Sequence, residues 1–243
     1  MRGRRKWASN LPVLLCYAEA HQQFLVAQRR RVNRLCNHRS PFRSTAVLSM
    51  PLRNTNLVEL ANVRVAILVE HDYEDLDLWY PYLRLQEGGA EVFIVGSGTA
   101  ESYTSKRGAR IMVDADADMV YADQFDGVII PGGWAPDRLR RCAAVLRLVR
   151  EADEEGKLIA ALGHAGCVLV SANVLPGRTV TGNSAIRDDL INAGARYVDA
   201  EVVRDGNLLT ARQLNDLPAF SRELITALRT AQPAERTPVG ARS

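Results

Sequence analysis

No apolar stretch in this sequence approaches the roughly 18 residues needed to span a bilayer, and its four cysteines, Cys16, Cys36, Cys142 and Cys167, include no C-x-x-C pair. The first absence argues against a membrane partner. The second, with no histidine or cysteine cluster at metal-ligand spacing, argues against a zinc site and a disulfide framework. It fits a reduced, cytoplasmic protein that holds no metal. Internal repeats and low-complexity tracts are also missing. What remains is ordinary globular composition, 47% hydrophobic and 24% charged over 243 residues. That is enough chain for one large domain with a sizeable core.

Acidic residues are scarce at one end. Residues 1–53 carry eleven of the 31 lysines and arginines but only one of the 28 acids, Glu19. The remainder therefore holds 20 cations against 27 acids, a net of −7. An acidic body does not favour nucleic acid phosphates, so no nucleic-acid partner is expected. The apolar patch Leu11–Cys16 is too short for a secretory signal. The Arg-rich segment fits either a transit peptide or an upstream extension with no fold, and Met50 stands a dozen residues before the first expected strand. The expected division is a basic, disordered extension over 1–61, one domain over 62–230 and a loose tail over 231–243.

From residue 63 the pattern changes. Val63–Val69 is apolar except for Arg64, as a strand buried on both faces requires. Asp75–Glu87 places Leu76, Trp79, Tyr80 and Leu83 at helical spacing, with Pro81 expected to kink the helix and Gly88-Gly89 to end it. Glu91–Val95, Phe125–Ile130 and Leu158–Leu162 are further strands, and the polar segment 97–112 suits a hairpin. The spacing predicts one helix over Arg138–Glu155, with Leu139, Cys142, Leu146 and Val149 on its apolar face. A short helix from His164, a strand over Asn207–Thr210 and a helix over Leu217–Leu228 complete the set. Strict strand–helix alternation predicts a flavodoxin-like, doubly wound, mostly parallel sheet with helices on both faces.

In such sheets the site lies at the carboxyl ends of the strands. Three exits stand out: Glu70-His71-Asp72-Tyr73-Glu74-Asp75, then PGGWAPD at 131–137, and ALGHAG at 161–166. The last has the strand–tight turn–helix form of a nucleophile elbow, where backbone N–H groups at a new helix start can stabilise an oxyanion.

These segments, with GHAGCVLVSANVLPGRTVTGNSAIRDDLINAGARYVDAEVVRDGNLLTAR and NDLPAFSREL, resemble the PfpI subfamily of the ThiJ/PfpI superfamily over nearly all of residues 63–228. The resemblance implies a cysteine-centred site that needs no cofactor. It implies peptidase, glyoxalase or deglycase chemistry on reactive carbonyl compounds, or a stress-related role, in a homodimer or hexamer. It places the acid partner at Glu74, the histidine at His164, a cross-subunit acid at Asp137 and oxyanion donors at the backbone of Gly133 and His164. The family's cysteine falls on Gly163, which has no side chain and can supply no thiolate. Gln213-Leu214 also depart, standing where related sequences carry histidine or glycine followed by proline.

Each residue has a plainer account. Glycine accepts backbone angles that strain other residues. Glu74 at a helix start could merely complement the helix dipole. His164 could be an ordinary helix-start residue or an oligomer contact. Cys167, four residues past Gly163, is either a displaced nucleophile or a small apolar residue in a buried helix, and Cys142 reads as core. Tyr73 and Trp134 either wall the pocket or pack on a partner subunit. The functions that follow are a small-molecule-binding pseudoenzyme, an enzyme using Glu74 and His164 with water, and a thiol enzyme using Cys167.

Overall fold

The structure, a computed structural model, describes residues 59–230. The chain divides into two units, Met1–Asn54 and Thr55–Ser243, and every described residue belongs to the second. The basic extension expected over 1–61 lies almost wholly outside the described residues, as does the tail. Leu60, just upstream of the expected domain start, is fully buried, and its N–H bonds to Gly88 O at 2.8 Å.

The elements in order are β1 (Arg64–Val69), α1 (Asp75–Glu87), β2 (Glu91–Gly96), β3 (Ser102–Thr104), β4 (Arg110–Met112), β5 (Ala115–Asp116) and β6 (Gly127–Ile130). Then come α2 (Ala135–Leu139), α3 (Ala143–Glu154), β7 (Leu158–Leu162), α4 (Gly166–Ala172), β8 (Thr179–Val180) and α5 (Arg187–Asn192). The chain closes with β9 (Arg196–Tyr197), β10 (Val202–Asp205), β11 (Leu208–Ala211) and α6 (Leu217–Thr230).

Seven strands form the central sheet in the order β10-β11-β7-β6-β1-β2-β5. All neighbours are parallel except β10 and β11, an antiparallel edge. The expected mostly parallel, flavodoxin-like sheet is what forms. Its inner strands are apolar because both faces are covered: Val65–Val69 of β1 and all of β7 are buried. Each such Val, Ile or Leu contributes about 1.5–3 kcal/mol. From β1 the chain steps to β2 on one side and later to β6 on the other. Right-handed crossovers in opposite directions put their helices on opposite faces. Accordingly α1 packs with α6, whereas α2, α3 and α5 pack with α4. The switch point lies between β1 and β6, where a crevice opens at the strand exits.

The hairpin expected over 97–112 is the antiparallel pair β3–β4. α1 continues through the buried Pro81, and Gly89, at φ 87°, makes the left-handed turn that ends it. The single helix expected over Arg138–Glu155 is instead two. Cys142 is extended at φ −88°, ψ 112°, and separates α2 from α3. The break resets the buried stripe: Val145, Leu148, Val149 and Ala152 face the core, so Val149 of the expected row is buried while Cys142 and Leu146 are only half-buried. Cys142 is consequently half-buried rather than core, its thiol donating to Ser97 O at 3.4 Å.

Candidate functional site

Two strand exits are spliced together. Tyr73, past the end of β1, pairs with Gly133, past the end of β6, in an isolated antiparallel bridge. Glu74 N–H donates to Gly132 O at 3.1 Å, and Trp134 N–H to Asp72 O at 2.9 Å. The approach leaves no room at Gly133. A Cβ there would lie 2.5 Å from Asp72 O and 2.6 Å from Glu74 N, and its φ of 86° is one that side chains rarely adopt. Gly133 is therefore glycine by backbone necessity, and among the described residues its N–H donates to no protein acceptor. The β3–β4 hairpin docks on the same loop through Asp72 N–H to Thr104 O and Lys106 N–H to Tyr73 O, at 2.8 and 3.0 Å.

The third exit is the elbow. β7 ends at Leu162, and Gly163 follows at φ 57° in the left-handed region, opening a short 3-10 turn that leads into α4. Here a Cβ would meet only Arg212 O, at an ordinary 3.6 Å. The position has room for a Cβ, and only its backbone angle favours glycine.

These exits surround an open pocket of about 190 Å³. Glu74, Gly133, Gly163 and His164 all line it, so four residues picked out from three distant segments share one wall. Gln213 and Leu214, the altered pair, line it too. Trp134 is 56% exposed and also lines the pocket; the His164 ring lies 5.7 Å away and Lys106 Nζ 5.9 Å from its ring centre. Tyr73, expected as a possible pocket wall, is instead fully buried, and its hydroxyl donates to Ala109 O at 3.1 Å. Burial, with Asp75 nearby, pushes its phenol pKa upward. Asp137 and Cys167 do not line the pocket. Among the described residues no hydrogen bond links Asp137 to His164 within one chain. Cys167 is 5% exposed, and burial pushes its thiol pKa up despite the opposing charge of Arg140. It is packed as a small apolar residue.

Glu74 is not a free carboxylate. Arg107 bonds one oxygen, and Lys106 Nζ lies 3.3 Å from the other. Both cations come from the tip of the β3–β4 hairpin, and the pairing raises the Arg107 pKa further. The pocket's other acid is Asp77, one helical turn on and 6% exposed. Its Oδ2 accepts the Gly132 N–H at 3.1 Å, while Oδ1 is buried with no hydrogen-bond partner among the described residues. Burial raises its pKa to about 6, a rise opposed by the Gly132 hydrogen bond and Lys106 and helped by Glu74. The Gly132 contact is close: a Cβ there would lie 2.7 Å from Asp77 Oδ2. Opposite, Arg212 is clamped by Asp216 through Nε and Nη2 at 3.0 and 3.1 Å and by Asp199 through Nη1 at 2.7 Å, which raises its pKa.

Sequence reasoning missed Asp77, Lys106 and Arg212. Asp77 had a usable signal, since it follows Glu74 at i,i+3 and so shares its helix face. Lys106 and Arg212 reach the pocket only through tertiary folding. Among the described residues no group of three or more histidine, cysteine or acidic side chains could hold a metal ion. No described helix is long and apolar enough to cross a membrane.

The family model for the DJ-1/PfpI family matches residues 63–227. The deglycase PfpI of Pyrococcus furiosus is 41% identical over 167 residues, covering 69% of this chain and 100% of the relative. The putative cysteine protease YraA of Bacillus subtilis is 36% identical over 166 residues, 68% of this chain and 98% of that protein. Among solved structures, a two-domain protein from Anabaena variabilis with DJ-1/ThiJ/PfpI-like and ferritin-like domains aligns with a TM-score of 0.68 and 40% identity, over 71% of this chain and 50% of that one. DJ-1beta of Drosophila melanogaster aligns with a TM-score of 0.65 and 27% identity, over 69% and 90%. The flavodoxin-like fold, the three strand exits around one pocket and these matches lead to one assignment: the chain belongs to the DJ-1/PfpI family.

Proposed function

We propose that this chain is a small-molecule-binding member of its family that lacks thiol-dependent peptidase, glyoxalase or deglycase activity, a pseudoenzyme with a stress-related role. One observation carries the reading: the elbow residue that should present the nucleophile is Gly163, which has no side chain. The relatives named as deglycases make reactive carbonyl compounds the first ligands to test.

Three other sources of chemistry are disfavoured. Cys167 is buried and its thiol pKa is raised, so little of it is thiolate at neutral pH. Cys142 lies against Ser97, outside the pocket. Glu74, the base that a hydrolase or hydratase would use with His164 and water, is held by Lys106 and Arg107.

The test compares methylglyoxal consumption by the natural protein and Gly163→Cys, with and without a thiol-blocking reagent. The variant is expected to be active and thiol-sensitive, and the natural protein inactive. A new Sγ would bond to the carbonyl carbon, and the oxygen that takes the negative charge would meet the Gly133 N–H. Such a donor contributes roughly 3 kcal/mol in known cases. Thiol-sensitive activity in the natural protein would instead assign the reaction to Cys167, and thiol-insensitive activity to water chemistry. The same reading makes the assembly a homodimer or hexamer in which Asp137 of one subunit meets His164 of the next. Sedimentation giving only monomer at micromolar concentration would count against it.

A further inference from the structure

A second cavity, of about 560 Å³, shares no lining residue with the first. It opens between the exits of β1 and β2 and the corner where α2 passes into α3. Its volume is that of a small-molecule site, which spans roughly 300–1,000 Å³. The one acid in its wall is already engaged. Glu70 is 4% exposed; one oxygen accepts the His71 N–H at 2.8 Å, and the other accepts the Thr99 hydroxyl at 2.9 Å and the Ser97 hydroxyl. The cations in the wall are not fully engaged. Arg141 is exposed and uses only its Nε, on Asp137 O at 2.9 Å. Among the described residues no carboxylate pairs with it and its two Nη groups have no acceptor. Arg138, also exposed, commits only Nη2, to Asp72 at 2.7 Å. The half-buried His71 accepts the Thr104 N–H on Nδ1 at 3.2 Å, so the proton of the neutral ring sits on Nε2, which has no acceptor among the described residues.

We infer that this cavity binds the phosphate group of a small organic molecule, through Arg141 and Arg138 with His71 as a third donor. The charged groups left for a ligand are donors, and they come from two separate segments, the β1 exit and the α2–α3 corner. Guanidinium forks fit phosphate oxygens in pairs and stay charged at any working pH. A tetrahedral phosphate has an oxygen for each of the three donors, which a planar carboxylate lacks. Two charges oppose the ligand, Glu70 and Asp72. The first is buried under three hydrogen bonds, and the second occupies a single nitrogen of Arg138. The cavity is also far larger than a bare phosphate, which leaves space for the molecule that carries the group.

Cys142 lines the same cavity and reports on its occupancy. The full chain is treated with iodoacetamide, and alkylation of the Cys142 peptide is followed by mass spectrometry in the presence of glycerol 3-phosphate, inorganic phosphate, glycerate or glycerol. Calorimetry gives the affinities for the natural protein, Arg141→Gln and Arg138→Gln. Both arginines are exposed, so the fold should persist, and the protection experiment needs no variant. Glycerol 3-phosphate is expected to slow alkylation at least about fivefold and glycerol not at all. Either arginine variant should bind the phosphate ester at least about tenfold more weakly. Inorganic phosphate protecting as well as the ester would keep the phosphate chemistry and make the free ion its source. Equal protection by glycerate or glycerol would overturn the inference. So would an ester that leaves Cys142 unprotected, or an affinity that both variants leave unchanged. None of these outcomes touches the reading of the first pocket, which shares no residue with this one.

Discussion

The exits of β6 and β7 each turn on a glycine at positive φ, 86° at Gly133 and 57° at Gly163, yet the two are glycine for different reasons. At Gly133 another strand's backbone lies where a Cβ would go. At Gly163 the nearest obstacle is Arg212 O at van der Waals distance. The first glycine is dictated by packing and would be needed whatever the protein does. At the second no neighbouring atom excludes a Cβ, and only the left-handed backbone angle favours glycine. On the functional reading proposed above, this is the position of a lost thiol, and a Cβ would still fit there.

The sharpest way to break the comparison is a pair of alanine substitutions followed by urea unfolding. Gly133→Ala should cost about 3–5 kcal/mol, because backbone atoms must move and the splice with Tyr73 must part. Gly163→Ala should cost only about 1–2 kcal/mol, the left-handed angle alone. Equal losses would mean that the elbow is as crowded as the bridge and that the contrast is false.

A smaller effect probes the floor beneath both exits. Asp77's carboxyl is raised from its ordinary 3.8 to about 6, so the folded protein keeps a proton that the unfolded chain releases. Stability is then undiminished below about pH 4, falls between about pH 4 and 6, and stays lowered above. Asp77→Asn removes that loss. It should stabilise the protein by up to about 3 kcal/mol at pH 8 and by almost nothing at pH 4. A gain independent of pH would show that burial of the charge is not the cause.

What could be seen in the sequence divides along the same line between local and long-range causes. β1, α1 and β7 were legible nearly to the residue, because apolar runs, helical spacing and a Gly-Gly stop act within a few positions. The elbow and both other exits were legible too, as strand ends carrying glycine and polar residues. The break at Cys142 was not, because no proline or glycine marks it. It follows from how α3 must seat Val145, Leu148, Val149 and Ala152 on the sheet. The pairing of Glu74 was equally hidden. Its partners lie 32 and 33 residues away, at the tip of a hairpin that only the fold brings back. A glutamate that reads as an available base is, once folded, the middle of a small ionic cluster.

On the proposed reading that Gly163 stands in place of a cysteine, the space beside it also bears on how permanent that change is. A site that had collapsed around a missing side chain would need several coordinated replacements to recover it. This one has not collapsed. Arg212 O stands back at 3.6 Å from where a Cβ would lie, and among the described residues the Gly133 N–H has no acceptor. Glycine and cysteine are neighbours in the genetic code, so the difference between the two states of this elbow is small enough for one mutation to cross in either direction, with the rest of the pocket left as it is.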